Sequence, residues 1–129
     1  MVAPVWAPSP GHIVRAEVPF ADCEGGKTRF PVVVSTHRFN ESHPEVVVAF
    51  ATRSVNVRRP MDYDVEISER HARFSFTGLT ESTTVRCGRL WTISKQKISD
   101  CVGVVPDDLL VDIRRLVLAC LRDGGQGLG

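Results

Sequence analysis

No two of the four cysteines, Cys23, Cys87, Cys101 and Cys120, form a C-x-x-C pair, and nothing in the chain has metal-ligand spacing. No metal and no cofactor is expected. A globular chain of 129 residues has no need of disulfide staples either. Cys87, Cys101 and Cys120 sit in apolar runs and are expected as reduced core residues. Also missing is any apolar run long enough to cross a bilayer. Met1 to Pro10 holds three prolines and no basic stretch ahead of an apolar one, so residues 1–10 are expected as a flexible lead and not a signal peptide. No membrane association and a cytoplasmic location follow as expectations. Lysine is scarce: thirteen of the 16 basic residues are arginine. Arginine's planar fork suits phosphates and base stacking, but a codon bias gives the same count, and composition leaves both open.

What is present is a globular composition, 43% hydrophobic and 24% charged, with strand periodicity over most of its length. His12 to Pro19 alternates apolar and polar residues. Pro31–Ser35 and Glu45–Thr52 are short β-branched runs of the kind found in crowded barrel strands. Asp64–Ser68 alternates, and Cys101–Val105 fits a further strand. Thr83–Cys87 and Arg89–Ile93 read as two strands joined tightly through Gly88. Asp22–Thr28, with Gly25-Gly26, reads as a mobile loop, and Thr36–Pro44 as a polar one.

The period changes near the end. Pro106 presets a first helical turn, and Asp107 and Asp108 sit where the helix dipole favours negative charge. Leu109, Leu110, Ile113, Leu116, Val117, Cys120 and Leu121 then recur at three- and four-residue steps, up to Gly124-Gly125. Many short strands and one packing helix make a mainly β (α+β) fold, a small β-barrel with a C-terminal amphipathic helix. One domain is expected over residues 11–122, with a flexible tail at 123–129. There are no repeats and no dividing linker.

Several short motifs occur in an order that resembles the MazF/PemK family of toxins. Gly11-His-Ile-Val, a glycine-bearing loop and Arg29-Phe-Pro-Val-Val-Val-Ser35 are similar to that family's opening. Phe39-Asn40, the strand ending in Thr52, Val65-Glu-Ile, Gly78-Leu-Thr, Val85-Arg-Cys87, Thr92-Ile93 and Pro106-Asp-Asp-Leu109 continue the pattern. The match runs from about residue 11 to residue 121. It implies an SH3-like barrel and metal-independent cleavage of single-stranded RNA. In that reaction the ribose 2′-hydroxyl attacks phosphorus, leaving a 2′,3′-cyclic phosphate and a 5′-hydroxyl. It further implies a homodimer in the cytoplasm, and a cognate antitoxin whose disordered acidic tail blocks the RNA groove.

Carried residue by residue, the resemblance makes Arg29, Thr52 and Arg86 the catalytic candidates. Arg53, Ser54, Arg58, Arg59, His37 and Arg89 are candidates for RNA binding. Taken singly, each has an ordinary structural explanation: a solvated loop arginine, or a threonine favoured at a strand end. The chain also departs from the family pattern. Phe30 stands between Arg29 and Pro31, where the family's arginine directly precedes its proline. A one-residue slip of this kind turns a strand side chain to the other face. Gly88 replaces an aspartate, Arg89 stands where glutamine is usual, and Trp91 where arginine is common. Two other classes fit the same barrel: a toxin acting on DNA gyrase by protein contact, and an antitoxin-binding relic that no longer cuts.

Overall fold

The strand β1 (His12–Phe20) organises the sheet, because both of its edges are used along its length. In the computed structural model, which describes residues 7–20 and 23–122, β7 (Ile98–Val104) takes one edge. The other edge is taken in succession by β3 (Val32–Val33) and β2 (Cys23–Arg29). The sheet continues from β3 through β4 (Glu45–Arg53) and β6 (Thr83–Ser94) to β5 (Asp64–Ile67), all antiparallel. Among the described residues two α-helices complete the fold, α1 (His37–Ser42) and α2 (Asp107–Arg122). The result is the bent sheet of a small barrel with a C-terminal helix packed on it.

Strand alternation divides the apolar residues into two cores. Ile13, Val32, Ala49, Ala51, Val65, Ile67, Val85 and Cys87 meet Ile113 and Val117 of α2. Val14, Ala16, Val18, Val33, Val46, Val48 and Ile93 form the second core, on the opposite face. Neighbours such as Val32 and Val33 therefore belong to different cores.

Four local expectations need correction. Thr36–Pro44 is not a loop: it holds α1, with the Thr36 hydroxyl accepting from the Phe39 N–H at 3.2 Å. So short a helix persists by tertiary anchoring. Asn40 is buried, and its Nδ2 donates to the carbonyls of Pro8 (2.8 Å) and Ser35 (3.0 Å). Asp22–Thr28, expected as a loop, is from Cys23 on part of the strand β2, because the long edge of β1 supplies its ladder whatever its glycines prefer. Residues 83–94 are one strand rather than a hairpin, since a lone glycine in a strand marks a bulge more readily than a turn. Cys101 is exposed and not a core residue, whereas Cys87 is buried. The Gly124-Gly125 stop, the tail at 123–129 and residues 1–6 of the lead lie outside the described residues.

One close approach fixes the cavity discussed below. Gly78 has φ +72°, and a Cβ there would stand 2.2 Å from the Val102 carbonyl oxygen. Gly103 is as tight against Thr77, 2.3 Å from its carbonyl. The segment ahead of β6 thus lies directly on β7, and only glycine allows it.

Candidate active site

Register decides which candidates share a face. Val32 pairs with Ala49 and Val33 with Val48. Along β1, Ile13 opposite Val32 and Ala16 opposite Arg29 keep a single register, so β2 and β3 are in phase despite the break at Phe30 and Pro31. Carried back from Val32, that register sets Arg29 level with Thr52 and Phe30 level with Ala51. Arg29 and Thr52 thus emerge on one face, and Phe30 and Ala51 on the other. Because this register is regular, Phe30 holds the position directly before Pro31 and Arg29 lies one residue back, on the opposite face from Phe30.

Arg86 joins that face. On β6 it lies opposite Phe50 of β4 and Asp64 of β5, and one step along, Thr84 lies opposite Thr52 and Glu66. Directly opposed residues in an antiparallel pair point the same way. The face therefore carries two rows, Phe50–Arg86–Asp64 and Thr52–Thr84–Glu66. Side-chain distances agree with the register: Arg86 Nη1 lies 3.6 Å from Asp64 Oδ2, and the hydroxyls of Ser54 and Thr84 are 2.8 Å apart. Asp64 Oδ2 also accepts from the Met61 N–H at 2.8 Å. Glu66 is exposed and makes no ion pair among the described residues.

The two rows reach this face through a bulge in β6. Phe50 pairs with Arg86, but its neighbour Ala49 pairs with Leu90, so Cys87, Gly88 and Arg89 are extra to the ladder. An odd number of extra residues inverts the alternation. Val85 and Cys87 consequently face the α2 core, while Trp91 and Ile93 face the other. Gly88, where the family pattern has an aspartate, lies in this bulge and is exposed.

The β2 and β4 strands are not hydrogen-bonded to each other, and a cavity of about 380 Å³ opens between them. Its walls include Arg29, Phe30, Ala51, Arg53, Glu81 and Thr83. The Nε of Arg29 is buried. Arg53 meets Glu81 at 3.3 Å, with its own side chain 60% exposed. Arg89 lies over the Phe50 ring at 4.8 Å from its centroid, a cation–π contact beside the Thr52 row. Arg58 and Arg59 are exposed in the segment after Ser54–Asn56.

Not every candidate gathers here. His37 begins α1, near Ser9 (3.4 Å) and Glu41 (3.8 Å), towards the end of β4 away from Thr52. The Cys87 thiol is no nucleophile: burial, then Asp64 and Cys120, push it up to about 12. Asp64, Glu66 and Thr84 escaped sequence reasoning. The alternation of Asp64–Ile67 placed two acids on one strand face, but only the pairing with β6 brings them beside Arg86 and Thr84. Among the described residues no group of three or more His, Cys, Asp or Glu could hold a metal.

Residues 9–121 match the family of PemK-like, MazF-like toxins of type II toxin–antitoxin systems. The chain belongs to this family. MazF/PemK members are endoribonucleases. Solved structures agree at the level of the fold. An endoribonuclease from a mycobacterial species, in complex with its cognate antitoxin, is 21% identical with a TM-score of 0.68, covering 89% of this chain and 95% of its own. MazF from Deinococcus radiodurans is 17% identical with a TM-score of 0.68, covering 91% and 98%. The Mycobacterium tuberculosis toxin MazF-mt6 is 18% identical with a TM-score of 0.62, covering 87% and 95%. No curated protein matches the chain in sequence. Relative to the MazF/PemK pattern, Phe30 stands directly before Pro31 and lines the cavity, with Arg29 one residue earlier.

Proposed function

We propose that Arg29, Thr52 and Arg86 carry metal-independent cleavage of single-stranded RNA on the polar face of β4 and β6. The observation that supports this most is the register which, carried back from β3 through β1, sets Arg29 level with Thr52, with Arg86 one row away. The scissile phosphate lies between them. The 2′-oxygen attacks phosphorus, the bond to the 5′-oxygen breaks, that oxygen takes a proton from water, and a 2′,3′-cyclic phosphate and a 5′-hydroxyl result. Arg29 donates to the non-bridging oxygens, where charge grows as phosphorus becomes crowded. The Thr52 hydroxyl orients the same phosphate. Arg86, already beside Asp64, adds positive field from the next row. Glu66, level with Thr84, takes up the 2′-hydroxyl proton in the role left open by Gly88.

Arg58, Arg59 and Arg89 extend the positive surface along which the strand lies, Arg53 adds charge from the Ala51 side beside Glu81, and Ser54 tightens the Thr84 end through its hydroxyl contact. The protein acts as a cytoplasmic homodimer. The exposed apolar residues Val104, Val111, Leu118 and Leu121 are surface that a second copy covers. An antitoxin with a disordered acidic tail holds it inactive by folding over the arginines. Among the described residues no helix is long and apolar enough to cross a membrane.

The deciding experiment incubates purified protein with a long single-stranded RNA in EDTA and maps the ends. Cyclic phosphate and 5′-hydroxyl ends at defined positions are expected. RNA left intact by a folded dimer that still binds an acidic antitoxin would assign the chain to the non-cutting forms of this barrel.

A further inference from the structure

We propose that the cavity between β2 and β4 is a nucleobase subsite, with Phe30 as the stacking platform and Glu81 as the reader of the base edge. This rests on the RNA-cleaving reading above, and it concerns which base lies beside the scissile phosphate. Arg29 and Phe30 are consecutive and both line this cavity, so a nucleotide whose phosphate meets Arg29 can set its base beside Phe30.

The walls suit a base. Phe30 is a large apolar side chain left 38% exposed. On β1, Arg15 stands opposite in register and its guanidinium lies 5.9 Å from the ring centroid. One side of the ring is thus occupied by a cation, and a base stacks on the other. The remaining lining mixes apolar Ala51 and Leu79 with polar Thr28, Thr80, Glu81 and Thr83. Glu81 is held at both ends, its carboxylate by Arg53 at 3.3 Å and its carbonyl by the Thr83 hydroxyl at 3.0 Å.

A carboxylate only accepts hydrogen bonds. Guanine offers two donors side by side, N1–H and N2–H, whereas adenine, cytosine and uracil each offer a single donor group on that edge. The subsite is therefore selective for guanine. Stacking on Phe30 supplies affinity for any base, and Glu81 supplies the preference.

The test uses labelled hexanucleotides with 2′-fluoro riboses, which cannot attack, read by fluorescence anisotropy. One is all uridine; the others carry a single guanosine at each position in turn. Wild type should bind one guanosine hexamer about ten-fold tighter than the uridine hexamer. Phe30→Ala should weaken both by about ten-fold, as expected for removal of one stack, and Phe30→Trp should restore binding. In Glu81→Gln the two hexamers should draw level. Phe30→Ala binding within two-fold of wild type would overturn the stacking platform, and a guanosine preference retained by Glu81→Gln would overturn the reader. Should Phe30→Ala fail to fold, Phe30→Trp and Glu81→Gln decide alone. A wild type that binds in the expected pattern yet never cuts cleavable RNA ends the ribonuclease reading and leaves the subsite standing. Cutting that ignores both substitutions does the reverse.

Discussion

Arg86 and Asp64 face each other across β6 and β5 at 3.6 Å, with side chains only 19% and 10% exposed. No other ion pair among the described residues is so enclosed. The arginine that the family pattern marks for chemistry is thus also part of how the edge strand is held.

Removing Arg86 should therefore have two effects. Arg86→Ala leaves the Asp64 carboxylate enclosed without its counter-charge and should lower stability by about 3 kcal/mol. Pairing it with Asp64→Leu should return much of that stability. Urea unfolding of the three proteins checks this, and an unchanged midpoint in Arg86→Ala would show that the pair holds nothing. Turnover of Arg86→Ala is meaningful only where the protein is folded.

Arg29→Ala should separate cleanly from that case. Arg29 ends a strand beside an open cavity, so the variant should fold normally and lower turnover by about 10²–10³ with a smaller change in affinity. Arg29→Lys should recover little, because a point charge does not replace a two-pronged donor. Thr52→Val keeps the strand and removes only the hydroxyl, and should cut poorly. Steady-state cleavage of a short reporter RNA reads all three. A fully active Arg29→Ala would shift the phosphate site to Arg86.

Alanine at Arg58 or Arg59 should act on binding. Both are exposed and off the two rows. Each arginine that neutralises a phosphate should, when replaced, reduce the log–log salt slope for a single strand by about 0.7. A slope unchanged by the double substitution would remove the segment from the RNA path.

The amino end offers a pH test. Burial, then His37, lowers the His12 pKa below its usual value of about 6.5. The Ser9 N–H donates to His12 Nδ1 at 3.0 Å, which requires that nitrogen bare. As pH falls, the unfolded chain takes up this proton first. The stability from neutral His12 is therefore full above about 6.5 and declines below it. The stability difference between wild type and His12→Asn, followed by urea unfolding from about pH 8 down to about 5.5, should narrow as pH falls. A constant difference would contradict the assignment.

Thiol labelling should divide the cysteines. Cys101 is exposed, whereas Cys87 is buried with its pKa raised to about 12. Peptide mapping after maleimide treatment should find Cys101 modified and Cys87 protected until denaturant is added. Equal labelling in the native protein would mean that α2 does not stay closed over β6.

How far the sequence could be read followed the kind of force involved. β1, β4, β5 and α2 are written in periodicity, because each buries a regular set of side chains. The β2 strand and α1 are not, since one is imposed by the edge of β1 and the other is fixed by Asn40 reaching Pro8 and Ser35. Motif order brought out Arg29, Thr52 and Arg86, but which face Arg29 takes depended on register, which β1 and β3 set from a distance. Glu66 and Thr84 became visible only through pairing. His37 fell away because α1 carries it towards the other end of β4.

The three-residue bulge of β6 also limits how this chain can change length. Because Cys87, Gly88 and Arg89 invert the alternation, Val85 can face one core while Trp91 and Ile93 face the other. Deleting or inserting one residue there would point Arg86 and Thr84 inward and bring valine to the polar face. Deleting two would not. Homologous chains that keep both cores should therefore vary in this segment by even steps, and a single-residue gap between the equivalents of Arg86 and Leu90 should mark a relative whose polar face is no longer in use.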